Sequence, residues 1–498
     1  MIEEEKERRA RLAHLQESGM DPYPARVERT HTLAEFLSQF SVLEKEEVSV
    51  HVVGRVRAVR KHGALSFIKM EDESGQAQAM VKQDEIGAEA YEFMTNTLDV
   101  GDFVSIGGTT IVTRTGESSV LASEVKIISK ALLPLPEKWH GLSDVETRFR
   151  HREIDLIVNE SVRNVFRSRA AIVTAIRKYF DERGFLEVDT PILQHVAAGA
   201  SAKPFSTHHN ALDQEMYMRI APELYLKRLV IGGFERVYEI ARCFRNEGID
   251  HSHNPEFSQV EAYIAYTDYE ELMRMMEDMV RELIRAIGKN PANVVYDGNE
   301  LDFQKPFVRI TYRDLIHGKI GLDVDNLTDL STARTAAKER GVEVDDTDSL
   351  TTVIDNIFKK LVRPSIVQPT FVTDYPASMT PLAKRKEGNP ERVEMFQFIV
   401  GGGFEVMKAF TELNDPVDQQ LRMEEQEAAH VAGDDEAQRQ DNDFLFAMKH
   451  GMPPMAGVGM GIERITQVLT DSHNIKEVIL FPTLRNIETD EGEGSKSK

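Results

Sequence analysis

The spacing of apolar residues changes period several times along this chain, and each change marks an element or a domain. Residues 5–18, EKERRARLAHLQES, repeat with helical spacing: Leu12 and Leu15 fall on one stripe, while Arg8, Arg9 and Arg11 fall off it. That basic face reads either as plain solvated surface or as an RNA contact. Gly19 and the DPYP segment stop the helix, and a second short one follows Thr32 through LAEFLSQF. From Val48 the period becomes two. VSVHVVGRVRAVR, LSFIKMED, QAQAMVK, DFVSIGGTTIVTR and SVLASEVKIIS read as short strands separated by Gly, Asp and Ser turns.

Five strands in so short a stretch predict a small antiparallel barrel of the OB-fold type. Such barrels hold single-stranded nucleic acid on exposed aromatic and polar strand residues. Phe67 and Gln78, with Arg57 nearby, are the candidates, although a lone strand Phe also serves as core. The Pro-containing connector ALLPLPEKWHGLSDVETRFRHRE carries the only tryptophan, Trp139. The expected division is a helical extension over 1–45, the barrel over 46–130, a linker over 131–155, a large domain over 156–486 and a disordered polar tail over 487–498.

In the large domain, VFRSRAAIVTAIRKYFDERGF is an amphipathic helix with Ile172, Ile176, Tyr179 and Phe180 on one stripe and Gly184 at its end. LEVDTPIL reads as a strand that includes Pro191, and APELYLKRLVIGG as a helix. Residues from about 290 to 370 are acidic, rich in Asp and Thr, and helical, as though inserted; strands resume over 371–415.

One stretch stands apart, Phe234 to Tyr269, two strands around a polar loop. Along the second strand Phe257, Gln259, Glu261 and Tyr263 share a face, and Val260, Ala262, Ile264 and Tyr266 share the other. An aromatic, an amide, a carboxylate and a phenol are poor material for an apolar core. The loop adds Arg245, Glu247, His251 and His253.

Composition narrows the function classes. At 498 residues, 41% hydrophobic and 29% charged, the chain has room for two or three globular domains. No apolar run reaches the ~20 residues of a membrane span, and the charged N-terminus lacks a signal core. A single cysteine, Cys243, excludes an internal disulfide framework and fits a reducing compartment, so a cytoplasmic protein with no membrane association is expected. The net charge of −23 opposes general affinity for nucleic-acid backbone, so any such role has to come from local sites.

The segment from Gly457 to Leu469 supplies the partner for that stretch. Gly457, Gly459 and Gly461 precede a helix carrying Arg464 in its first turn, an arrangement suited to an anion, although a glycine run alone recurs by chance. It is neither a P-loop nor a dinucleotide fingerprint. Together with FRNEG and the Pro191 strand it resembles the three signature motifs of class II aminoacyl-tRNA synthetases. PYP, GASAKPFSTHHNAL, RIAPELYLKRLVIGGFERVYEI, HNPEF, TELNDP, and GMGIERI followed by VILFP narrow the resemblance to the class II lysyl-tRNA synthetase family over nearly the whole chain.

That resemblance implies an α+β fold: an N-terminal OB-fold barrel, then a class II catalytic domain built on an antiparallel sheet flanked by helices. It implies lysine activation by ATP to an adenylate, transfer to tRNA(Lys), a homodimer joined through the Pro191 region, and magnesium with ATP. Arg245 would bridge the α-phosphate and the substrate carboxylate, and Arg464 would hold the γ-phosphate. Phe257 would stack on adenine, with Glu247 and His253 completing the ATP site. Glu405 is the best metal ligand, with Glu412 a second and Gln397 doubtful. For the substrate lysine, Glu223 and Gly199 would meet the α-amine. Glu261, Tyr263 and Glu412 would meet the ε-ammonium, with Phe410 along the methylenes. Arg57, Phe67 and Gln78 become anticodon contacts.

Four positions depart from the family pattern: Ala198, Ser252, Gln397 with a one-residue shift, and Lys408, which shares a strand face with Phe410 and Glu412. The changes at Gln397 and Lys408 are expected to compensate, an anionic ligand lost and a cation gained. Rival readings are an aspartate or asparagine enzyme of the same group, which Glu261 and Glu412 would repel, a relative that lysylates a protein, which the barrel opposes, and an inactive RNA-binding relative.

Overall fold

A computed structural model describes residues 3–136, 144–200, 202–345, 348–431 and 439–485, which fall into two compact units, Met1–Ser143 and Asp144–Lys498. The connector around Trp139 and the tail beyond 485 lie outside the described residues.

In the first unit the strands Val50–His62, Leu65–Glu71, Gln76–Lys82, Phe103–Val112 and Ser118–Ser129 close a barrel, with the fifth strand between the third and fourth. Strand alternation sends Val50, Val52, Val56, Ile68, Met70, Ala79, Val104 and Ile106 into a shared core. Between the third and fourth strands lies the helix Ala88–Thr97, which strand periodicity did not reveal. It seats Tyr91 and Met94 against the barrel, where the Tyr91 hydroxyl lies 2.7 Å from Ser66 Oγ.

The arginines of the helix Glu3–Glu17 are not a free basic face. Arg8 is buried and donates through Nη1 to the carbonyls of Val100 and Ala131 at 3.1 and 3.2 Å. Arg11 pairs with Asp99 at 2.5 Å and Arg9 with Glu5 at 2.8 Å. Arg8 and Arg11 thus fasten the helix to its own unit, whereas Arg9 stays about half exposed in a pair within the helix, so the basic face is smaller than the spacing suggested.

The second unit begins inside the expected linker. Helices Val145–Arg150 and Arg152–Val158 are anchored by the fully buried Arg152, which bonds Asp155 at 2.8 Å and the carbonyls of Lys476 and Leu480 at 2.7 and 3.1 Å. An eight-stranded sheet follows, in the order Val308–Thr311, Thr370–Thr373, Met395–Val400, Phe404–Thr411, Met455–Gly461, Glu256–Ala265, Arg236–Phe244 and Leu186–Glu187. Its interior pairs are antiparallel and its two edge pairs parallel.

One sheet face is covered by the helices Glu160–Asp181, Tyr269–Ala286 and Ile462–Thr470. They bury Ile172, Ile176, Phe180, Met276, Val280, Ile465 and Leu469 against Val260, Ala262 and Ile264. Apolar burial stabilises this layer by ~25 cal/mol per Å², so the core lies on this side of the sheet.

Three expectations need correction. Pro191 lies in no strand: two-residue strands, Leu186–Glu187 and Leu193–Gln194, flank it, because Pro brings no amide hydrogen to a ladder. Tyr266 is not a core-face residue; it sits past the strand end at φ 60° and is 70% exposed. The acidic region is not wholly an insertion, since Val308–Thr311 is the edge strand of the main sheet. Its helices Leu330–Glu339 and Leu350–Ile357 do fall where the pattern put them.

Candidate active site

The uncovered face of the central sheet is organised by rows of directly opposed residues. In antiparallel pairing, opposed residues project to the same side. One row crosses five strands: Glu239, Glu261, Gly459, Lys408 and Gln397. The next joins Tyr263, Gly457 and Phe410, and a third sets Gln259 opposite Gly461.

The glycines therefore do not form a turn at a helix N-terminus, as the sequence suggested. All three lie in the strand Met455–Gly461, and the helix starts only at Ile462. A Cβ on Gly457 would overlap Tyr263 Cε1 and Glu412 Oε1, and one on Gly459 would meet Glu261 Cγ at 3.6 Å. The glycine strand is the floor of a pocket, kept low so that neighbouring strands can lean side chains over it.

Carboxylates line one end of that pocket. Glu261 is buried and accepts from Gln259 Nε2 at 2.6 Å and from the Tyr263 hydroxyl at 3.0 Å. Burial, with Glu223 adding to it, pushes its carboxyl up to about 8, and Tyr263 is pushed well above its ordinary value by the same burial and by Glu261. Glu239, behind it, is engaged by Arg219 and by the Thr190 hydroxyl at 2.7 Å. Gly199, at φ 93°, lies against Glu223, the first residue of the helix Glu223–Ile231; a Cβ there would stand 3.4 Å from Glu223 Cβ. Phe410 and Glu412 follow Lys408 at alternate positions, and Phe410 is buried.

The sequence reading missed one member. Lys227 is buried, bonds Glu223 Oε1 at 2.7 Å one turn back on its helix, and meets the Glu412 carboxylate on the neighbouring strand. The rings of Phe410 and Phe444 lie 5.3 and 5.9 Å from its Nζ. Burial alone would lower the Lys227 pKa, but the two carboxylates outweigh it and keep the ammonium charged. Burial also drives Glu412 upward, a tendency that opposes the first across one contact. With an ammonium held between two carboxylates, the ion pair is the state the geometry favours. Only the i,i+4 spacing of Glu223 and Lys227 was visible in the sequence, and that spacing is usually a surface pair.

Cations occupy the other end. Arg245 follows the strand Arg236–Phe244, with its guanidinium 5.0 Å over the Phe257 ring and a buried Nε that has no hydrogen-bond partner. Burial lowers its pKa, with Glu247 acting in the opposite sense and Arg464 in the same one. Arg464 projects from the first turn of the helix Ile462–Thr470 and bonds the Glu405 carbonyl at 3.1 Å. Lys408 is lowered by burial, countered by Glu405, Glu223 and Asp355. Among the described residues none of these three cations makes an ion pair. Unpaired cations converging on one sheet face are costly unless an anion arrives to meet them.

His253 and Glu247 lie on the exposed loop beside this end. The His253 ring meets Asp250 at 2.9 Å, and Ser252 Oγ also bonds Asp250, whose pKa is lowered by His253 and Ser252 against the effect of burial. A β-bulge interrupts the strand pairing between Phe398 and Ile399, immediately after Gln397. Gln397 faces Lys408 across the ladder and accepts from the Tyr375 hydroxyl at 2.7 Å.

For magnesium, the donor set is thin. The described residues contain no group of three or more His, Cys, Asp or Glu that could hold a metal ion. Glu412, expected as a ligand, is instead engaged by Lys227, and Gln397 is taken up by Tyr375 and lies opposite a cation. Glu405 alone remains, which fits an ion brought in and chiefly held by phosphate oxygens.

In the barrel, Phe67 is partly buried, with its ring 6.3 Å from that of His62, and Gln78 Nε2 bonds Ser119 Oγ at 3.0 Å. Arg57 pairs with Glu71 at 3.3 Å, and Gln76 bonds the same carboxylate at 2.8 Å. All three predicted residues lie on the first three barrel strands, but Arg57 is nearly buried in its pair.

Residues 144–485 match the family described as tRNA synthetases class II (D, K and N), and residues 50–128 match the OB-fold nucleic acid binding domain. The chain is 48% identical over 482 residues to a lysine–tRNA ligase of Roseiflexus sp. (strain RS-1), covering 97% of this chain and 98% of that one. It is 47% identical to the lysine–tRNA ligase of Roseiflexus castenholzii, with the same coverage. A lysine–tRNA ligase of Moorella thermoacetica is 46% identical over 476 residues, covering 95% of this chain and 96% of that one.

Proposed function

We propose that this chain, which belongs to the lysine–tRNA ligase family of class II tRNA synthetases, activates L-lysine with ATP on the uncovered sheet face and passes it to tRNA(Lys). The observation that carries this is the row Glu239, Glu261, Gly459, Lys408 and Gln397, with two acids at one end and the cation Lys408 towards the other, beside which Arg245 and Arg464 add two more cations. Lysine needs anions for two ammonium groups, and a triphosphate needs cations.

In the first step an oxygen of the lysine carboxylate attacks the α-phosphorus, and the bond to the bridging oxygen of pyrophosphate breaks. In the second, the terminal ribose hydroxyl of tRNA attacks the activated carbonyl and AMP leaves. No protein nucleophile takes part, so the residues act by position and charge. Arg245 neutralises the α-phosphate and the attacking carboxylate, and Arg464 the far phosphates. Phe257, beneath the Arg245 guanidinium, is the stacking surface for adenine, with Glu247 and His253 at the loop edge. Magnesium, with Glu405 as its protein ligand, supplies further charge neutralisation to the phosphates when bound. Gly199 and Glu223 receive the α-amine, Glu261, Tyr263 and Glu412 the ε-ammonium, and Phe410 the methylenes. Phe67 and Gln78 contact the anticodon, Arg57 acting through Glu71.

A homodimer through the region around Pro191 belongs to the same reading. Leu186, Ile192 and Leu193, all exposed and close to Pro191 in the chain, support it as apolar groups that a partner would cover. No helix among the described residues is long and apolar enough to cross a membrane.

The test is ATP–pyrophosphate exchange with each of the twenty amino acids in turn. Exchange with lysine alone supports the reading. Exchange with aspartate or asparagine, or with none, overturns it.

A further inference from the structure

The lysine pocket holds one group that none of these roles uses. Lys227 is a buried ammonium lying between the two carboxylates assigned to opposite ends of the substrate, Glu223 and Glu412. The remaining ionisable groups facing this space are Glu261 and Tyr263 on the neighbouring strand. Glu239 behind them is already matched by Arg219, and Lys408, across Gly459 from Glu261, is felt by Glu223 but among the described residues makes no ion pair with any of these carboxylates.

When the three carboxylates are ionised, Lys227 cancels one of them and leaves two uncompensated. Two is the number of ammonium groups on lysine. Buried charges are tolerated only when matched, so the count bears directly on what can bind. Without Lys227 the pocket would hold one carboxylate too many. With Lys227 but without Glu412 it would hold one too few.

We propose that Lys227 is a specificity-determining positioning residue that sets the charge of the amino-acid pocket to match a substrate with two ammonium groups. Its Nζ also fixes Glu223 and Glu412 in place from the helix side. It does so without meeting the reacting atoms, so it acts through the carboxylates it holds. The proposal rests on the assignment of this pocket to lysine.

The charge count predicts a sign that simple loss of packing does not. Glu412→Gln alone leaves one uncompensated carboxylate and should raise the lysine KM in ATP–pyrophosphate exchange by at least tenfold. Adding Lys227→Met to that variant restores the count to two and should bring the lysine KM back down by fivefold or more, with kcat changing less than KM. Lys227→Arg alone keeps the charge and should stay closer to the unmodified protein than Lys227→Met does. Thermal unfolding of each variant shows whether it is folded. If the double variant folds and its lysine KM is equal to or worse than that of Glu412→Gln, the proposal is overturned and Lys227 is a packing residue. Failure of the unmodified protein to exchange with lysine at all would instead overturn the pocket assignment itself.

Discussion

Gly457 lies directly opposite Tyr263 in the paired strands, and a single added carbon there would occupy the space of the Tyr263 ring edge and of the Glu412 carboxylate. Gly457→Ala is therefore expected to move two lysine-pocket residues at once. Overpacking of this kind costs ~1–3 kcal/mol, too little to unfold a domain of this size but enough to displace a hydrogen-bonded phenol. The lysine KM should rise a hundredfold or more while the ATP KM changes by less than about threefold. A change of equal size in both would count against the glycine strand as a lysine-pocket floor.

Glu261 ties lysine binding to pH. Burial, with Glu223 adding to it, pushes its carboxyl up to about 8 from the ordinary 4.5, because burial penalises the charged form. An ammonium needs the ionised form, so a proton must leave as lysine binds. Lysine affinity is expected to rise about tenfold per pH unit below 8 and to level off above it. The same shift, raised in the folded state, contributes stability to the folded protein that is present below pH 4.5 and lost as pH rises through about 8. Calorimetry of lysine binding in buffers of different ionisation enthalpy measures the proton directly. In Glu261→Gln the pH dependence should weaken, leaving the part due to Glu412, and the affinity should fall.

Arg245 and Arg464 should behave as phosphate residues. Removing a preorganised donor from a charge-developing centre costs roughly 10²–10³ in rate. Arg464→Ala and Arg245→Ala are each expected to lose that much in lysine-dependent exchange. Arg464→Lys should recover only part, because an ammonium lacks the planar fork. Full recovery by lysine would mean that charge alone matters at this position.

The barrel residues should separate cleanly from the activation step. Phe67→Ala removes a stacking surface worth ~1–3 kcal/mol per base, so the KM for tRNA(Lys) in aminoacylation should rise by tenfold or more. Exchange without tRNA should be unchanged. Gln78→Ala should behave likewise, more weakly, since its amide already bonds Ser119.

Lys130 offers a stability counterpart. Its buried ammonium lies between Asp99 and Asp102, and Asp102 is pushed up by burial against the pull of Lys130. Breaking such a buried group by removing one partner costs ~3–5 kcal/mol. Lys130→Met should lower the unfolding temperature of the first unit and impair aminoacylation while leaving lysine-dependent exchange in place.

Much of this architecture was legible in the chain. A period-two pattern from Val48 specifies a barrel because strand side chains alternate, and the stripe of Ile172, Ile176, Tyr179 and Phe180 specifies a helix that packs on one side. Glu261 and Tyr263 declared themselves by standing on the polar face of a strand whose other face is apolar. The helix Ala88–Thr97 escaped notice because its buried residues, Tyr91, Met94 and Thr97, make too short a pattern to separate from a loop. Arg8 looked solvated because sequence spacing shows a helix face but not what lies against it.

What the sequence by itself determined, then, is most of the helices and strands, the barrel, and the residue types at the site, all of which depend on local spacing and composition. Only the tertiary structure decided that three glycines form a floor rather than a turn, and that Glu412 meets a lysine of its own chain. The row from Glu239 to Gln397 draws on five strands spread over more than 150 residues, and Lys227 reaches Glu412 from a helix far away in the chain. Cross-strand register and burial set those relationships, and neither is encoded within any single window of the sequence.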